Sequence, residues 1–119
     1  MDIQRSGTTK RYSDYVCHGG VVHIVEVPAS ADADAKTQTV EILASIEKML
    51  IQAGSDKSRL LSATIYLTSI ENDYDAMNEV WDNWVPNGTA PARACVEVSR
   101  LANKGYKVEI AITAAQNSQ

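Results

Sequence analysis

"ARACVEVSRLANKGYKVEIAITA", Ala92 to Ala114, holds two alternating runs joined by a short polar stretch. Arg93, Cys95, Glu97 and Ser99 alternate with Ala94, Val96 and Val98. Strand side chains point to opposite faces with a period of two. The first run is therefore a strand with one apolar face and one face bearing a guanidinium, a thiol, a carboxylate and a hydroxyl. Tyr106 to Ala114 is a second strand, and "RLANKG", with its Gly105, reads as the loop of a hairpin between them. In that hairpin a one-residue slip would turn every apolar side chain to the wrong side. The register that sets Glu97 opposite Lys107 gains an ion pair of a few tenths of a kcal/mol. It also puts Cys95 opposite Glu109 and Arg93 opposite Ala111.

Upstream, "VPNGTAP" is turn chemistry, and before it "NDYDAMNEVWDNWVP" sets Tyr74, Met77, Trp81 and Trp84 on one helical stripe. Asn72 or Asp73 is the expected cap and Pro86 the stop, and the aromatic stripe is read as core. "RLLSATIYLTS" alternates Ala63, Ile65 and Leu67 against Ser62, Thr64, Tyr66 and Thr68, the pattern of a half-buried strand. Earlier still, Val40, Leu43, Ile46 and Leu50, widened by Ile42 and Met49, predict a helix over Ala35 to Ala53. Asp32 or Asp34 can cap its start, and Gly54 stands where a left-handed cap belongs. "CHGGVVHIVEVPAS" opens with the turn His18-Gly19-Gly20 and continues as a strand, Val21 to Val27, that Pro28 stops.

The order is strand or strands, helix, strand, helix, strand, strand, in one domain spanning 1–119. Helical units between strands predict crossovers that cover one face of a sheet. Two helices cannot also cover the other face. That face is expected to show Ser62, Thr64, Tyr66, Arg93, Cys95, Glu97, Lys107, Glu109 and Thr113. It can face water or pack against copies of itself in a closed homo-oligomer.

Hydrophobic residues are 45% of the 119 and charged residues 22%, the balance of a globular chain. A net charge of −4, with scattered Lys and Arg, argues against a nucleic-acid partner. No apolar run reaches the roughly 18 residues of a membrane helix. Two cysteines make no secreted disulfide framework and no signal peptide is recognised, so the expectation is a soluble, reduced, cytoplasmic protein. Cys17, His18, His23 and Cys95 lack zinc-ligand spacing, and both histidines read as ordinary strand or turn residues.

In the expected register Arg93, Cys95 and Glu109 form one cross-strand cluster. Arginine binds a carboxylate bidentately, and a nearby glutamate can hold or deprotonate a water. Such a cluster suits a small carboxylate-bearing substrate attacked by water. A structural Arg93–Glu109 ion pair around a small thiol is the alternative, and spacing alone favours it.

"TAPARACVEVSRLANKGYKVEIAITA" resembles the C-terminal signature of the Rid family, the YjgF-like reactive imine/enamine deaminases. The likeness continues through "AGSDKSRLLSATIYLTSIENDYDAMNEVWDNWV" and "RYSDYVCHGGVVH", so it covers nearly the whole chain. It implies a chorismate-mutase-like α/β (α+β) fold: a mostly antiparallel sheet, two helices on one face, and a homotrimer with ligand clefts at subunit boundaries. The implied activity is hydrolysis of 2-imino or 2-enamino acids, such as 2-aminoacrylate and 2-iminopropionate, to 2-keto acids and ammonia without a cofactor. By the same resemblance Arg93 is the substrate-carboxylate arginine and Cys95 lines the cleft. Glu109 positions the attacking water, and Tyr15 closes over the substrate from a neighbouring subunit. A non-catalytic trimer that binds small carboxylates, or a partner, is the alternative.

One stretch departs from the family's pattern. A Ser-Gly-Gln type turn is usual where this chain has Ile24, Val25 and Glu26. A hydroxyl is lost and a carboxylate replaces an amide, which implies a larger or more apolar imine. A second glutamate often found after the Val-Glu-Ile core is Ala111 here.

Overall fold

The sheet grows outward from the hairpin of β2 (Tyr15–His18) and β3 (Val21–Glu26). Gly19 and Gly20 both have positive φ, 59° and 80°, as the two-residue turn matching strand twist requires. The computed structural model describes residues 2–118. Along the chain come β1 (Gln4–Ser6), β2, β3, helix α1 (Ala35–Gln52), a 3-10 turn (Lys57–Arg59), β4 (Leu60–Leu67), helix α2 (Ile70–Trp84), β5 (Ala92–Glu97) and β6 (Val108–Ala115). The spatial order is β1-β2-β3-β6-β4-β5. Every pairing is antiparallel except β4 with β5.

The expected hairpin of the last two strands does not form. β5 runs parallel to β4, with Ile65 opposite Cys95, whereas β6 lies between β3 and β4 and sets Glu109 against Tyr66. The reason lies in the side chains. Val108, Ile110, Ile112 and Ala114 are all buried, so β6 takes a central position. The corresponding positions of β5 are Arg93, Cys95 and Glu97, which suit an edge. The expected ion pair is absent too: Lys107 Nζ donates to the Ala33 carbonyl at 2.6 Å, and Glu97 accepts from the Ile70 amide at 2.9 Å.

This pairing also corrects the faces. Ala63, Ile65 and Leu67, buried beneath the helices, stand opposite Arg93, Cys95 and Glu97. The polar side chains of β5 therefore point to the helical side, and Ala92, Ala94 and Val96 look out with Ser62, Thr64 and Tyr66. Glu109 and Thr113 are on the open face as expected, and the Thr113 and Ser62 hydroxyls meet at 2.6 Å.

α1 begins at Asp34, whose carboxylate accepts from Thr37 N at 2.7 Å. It ends with Gly54 at φ 81°, and Ser55 N and Gly54 N donate to the Leu50 and Ile51 carbonyls, a Schellman closure. Ile42, Leu43, Ile46, Met49 and Leu50 bury its inner stripe, together with Gln38 and Thr39. Val40, expected in the stripe, is half-exposed because it sits one helical step outside it. Gln38 is fully buried and ties two loops together. Its amide nitrogen donates to the carbonyls of Ser30, Ala33 and Gly105, and its oxygen accepts from Lys107 N. α2 is capped by Ser69, three residues ahead of the Asn72 whose amide its hydroxyl accepts, and not by Asn72 or Asp73. Met77 and Trp81 are buried as the stripe predicts, whereas Tyr74 is partly exposed and Trp84 packs at the margin.

Candidate functional site

Arg93 is the one charged side chain that β5 aims at the middle of α2. Its Nη1 donates to Asn78 Oδ1 at 2.9 Å and contacts Met77 Sδ at 3.9 Å. Nη2 reaches the Tyr74 hydroxyl at 3.5 Å, and the guanidinium lies 5.4 Å from the centroid of the Trp81 ring. Tyr74, Asn78 and Trp81 lie four and three residues apart, which places them on one helix face. All the holders are neutral. The ion pairs among the described residues, Lys36–Glu79 and Lys57–Glu47, do not involve Arg93. The guanidinium is therefore oriented while its charge stays uncompensated, a state suited to an external carboxylate. The alternative Arg93–Glu109 ion pair is overturned, since the two residues occupy opposite faces with β4 between them.

Cys95 is half-buried beside Arg93. Burial pushes its thiol above the usual range, only partly offset by the Arg93 charge. It is therefore a neutral thiol near pH 7 and a poor nucleophile, which fits a lining group. Glu97, further along β5, holds the first amide of α2, where the helix dipole favours a carboxylate.

Glu109 sits on the open face, and burial raises its carboxyl above the ordinary glutamate range. It stands two strands from β5, about 10 Å at the usual strand spacing. Tyr15 is half-buried against the core on β2. Four strand spacings, roughly 19 Å, separate it from β5. One chain thus brings Arg93 and Cys95 together and leaves Glu109 and Tyr15 elsewhere. In the departing stretch Ile24 is in the core and Val25 is 59% exposed on the open face. Glu26 accepts from Val27 N at 3.0 Å and from the Ser45 hydroxyl at 2.6 Å. Among the described residues no three His, Cys, Asp or Glu side chains gather to hold a metal, and no helix is long and apolar enough to cross a membrane.

Asn78, Tyr74 and Trp81 were not singled out as guanidinium holders by the strand pattern. The Asn-x-x-Trp spacing of Asn78 and Trp81 carried that signal, because i and i+3 share a face.

Fold and arrangement define a chorismate-mutase-like α+β protein with an oriented, unpaired arginine on an edge strand. The profile of the family described as Endoribonuclease L-PSP matches residues 3–116. The RutC family protein YoaB of Escherichia coli is 46% identical over 115 residues, covering 97% of this chain and 99% of YoaB. A YjgF-family crystal structure from Neisseria meningitidis superposes with a TM-score of 0.94 at 46% identity, covering 100% of this chain and 98% of that one. A protein of the conserved Rid family from Yersinia pestis does so with a TM-score of 0.82 at 30% identity, covering 91% and 90% of the two chains. The chain belongs to the YjgF/RutC/Rid family.

Proposed function

We propose that this protein is a hydrolytic deaminase of small 2-imino and 2-enamino acids, working at the subunit boundaries of a cytoplasmic homotrimer. The observation that carries this reading is Arg93: its fork is fixed by Asn78, Tyr74 and Trp81, with no carboxylate of the described residues in an ion pair with it. A substrate carboxylate would supply the missing charge in bidentate geometry. Cys95 lines the same wall.

The opposite wall comes from a neighbouring copy, because Glu109 and Tyr15 of the same chain lie too far across the sheet to share a small ligand with Arg93. The neighbour's Glu109, raised in pKa by burial, is suited to hold a water and accept its proton. The water oxygen bonds to the imine carbon while a proton passes to nitrogen. The carbinolamine's hydroxyl proton then passes to the amine, the C–N bond breaks, ammonia leaves and the C=O bond of the 2-keto acid forms. Carbon is neither oxidised nor reduced, so the step needs no redox cofactor. Imine hydrolysis is intrinsically fast, and orientation with one held water supplies the modest acceleration required.

The test generates 2-iminopropionate in situ and follows 2-keto acid release. Wild type should accelerate it, and Arg93→Ala should lose at least about 30-fold in kcat/KM, the loss expected when one partner of a buried charge pair is removed. No acceleration by wild type, or an undiminished Arg93→Ala, would sink the reading. The separation of Arg93 from Glu109 within one chain also supports a second reading, a carboxylate-binding trimer without catalysis. Keto-acid binding together with a Glu109→Gln variant that leaves the hydrolysis rate unchanged would favour it.

A further inference from the structure

A cavity of about 580 Å3 opens on the uncovered face at the β2–β3 end of the sheet. That volume lies within the range of small-molecule sites. Its walls are predominantly apolar: Tyr12, Val16, Val25, Val27, Ala102 and Tyr106. Tyr12 is 64% and Val25 59% exposed, so both offer apolar surface to whatever enters. The charged groups on the wall have one sign. Asp14 lines it with His23, Glu26 borders it with its carboxylate turned to the Ser45 hydroxyl on the helical side, and no lysine or arginine lines it.

The cavity adjoins Glu109. β3 and β6 pair Val25 with Ala111 and Glu26 with Ile110. Continued by one residue, that register sets Val27 against Glu109. Val25 and Glu109 project from the same face of neighbouring strands. A ligand with its reacting carbon at Glu109 would therefore direct its remaining substituent over Val25 and Val27. The far wall is held firmly as well: Tyr106 lies between Gly105 and Lys107, whose backbone groups are both bonded to the buried Gln38.

We infer that this cavity receives the substrate's side chain and selects 2-imino acids with bulky apolar side chains, aromatic or long aliphatic, over small and acidic ones. This rests on the deaminase reading for the placement of the reacting carbon. Selection against acidic side chains follows from Asp14 on a wall without a lysine or arginine. Selection for bulk follows from apolar area that a methyl group would leave uncovered. Val25 is the specificity-determining residue, since its exposed side chain lines the cavity on the same face as Glu109.

Binding of stable 2-keto acids tests this independently of turnover. Isothermal titration of the intact protein should give phenylpyruvate a Kd at least about tenfold below that of pyruvate, the discrimination typical of apolar pockets. 2-Oxoglutarate should bind no more tightly than pyruvate. Val25→Trp, which fills the cavity, should collapse the phenylpyruvate-to-pyruvate ratio to about twofold or less. If Val25→Trp does not assemble like wild type, Tyr106→Ala gives the same readout by removing an aromatic wall. Equal affinities for the two acids, tighter binding of 2-oxoglutarate, or a preference that survives the wall variant would overturn the inference. Failure to hydrolyse any imine while the preference holds would reject the deaminase reading and leave the cavity assignment standing.

Discussion

The two faces of the sheet treat charge in opposite ways. Under the helices Arg93 is surrounded by neutral partners that fix its direction. On the open face Glu109 is raised in pKa by burial and takes part in neither ion pair of the described residues. Arg93 and Glu109 thus lie on opposite faces, and β4 keeps them apart. A chain that joined them in a hairpin would neutralise the guanidinium that the proposed function assigns to the substrate carboxylate. Separating them keeps the cation unpaired, and under the proposed function a second copy would supply the other wall.

The comparison breaks first at β4, where adjacent residues belong to different faces. Ile65 is fully buried opposite Cys95, and Ile65→Ala should cost about 2–5 kcal/mol in urea unfolding. Thr64→Ala, on the open face, should change stability by less than about 1 kcal/mol. Similar costs at the two positions would mean that the faces are wrongly assigned. A smaller effect sharpens the account of Arg93. Asn78→Ala removes the neutral clamp and should weaken keto-acid binding about 3- to 10-fold, the worth of one hydrogen bond. Asn78→Asp would supply the counter-ion that the chain withholds, and should weaken binding further. An aspartate that left affinity intact would show that Arg93 is not the anchor.

The smallest effect is the pH dependence of Glu109. Its folded pKa lies above its unfolded value, so the folded state binds more protons between the two. Stability from this group is therefore greatest below the ordinary glutamate range and declines as pH rises towards the raised folded value. Glu109→Gln should flatten that decline in urea midpoints measured from acid to neutral pH. A steeper decline in the variant would contradict burial as the cause.

Local patterns were read well where local forces decide. The stripe ending at Gly54, the Gly19-Gly20 turn and the alternation of β4 and β6 each reflect one element and its immediate caps or core. The partner of β5 was not legible, because Arg93, Cys95 and Glu97 look like a solvent face in isolation. Only the arrival of α2, with Asn78, Tyr74 and Trp81 on one side, makes that face an inner one. The hairpin inference failed for the same reason: the stretch between β5 and β6 is short enough for a turn, yet β6 is the more apolar strand and claims the centre. Arg93 and Cys95 could be named from sequence, but that Glu109 lies across β4 could not.

Gln38 carries a consequence for motion. Its side chain bonds both to the segment leading into α1 and to the one leading into β6, and Asp32 N adds a bond to the Gly105 carbonyl. Opening either segment breaks bonds belonging to the other, so the two behave as one cooperative unit towards hydrogen exchange. Tyr106 is carried on that unit, and the wall it forms is as slow to move as the buried amide that anchors it.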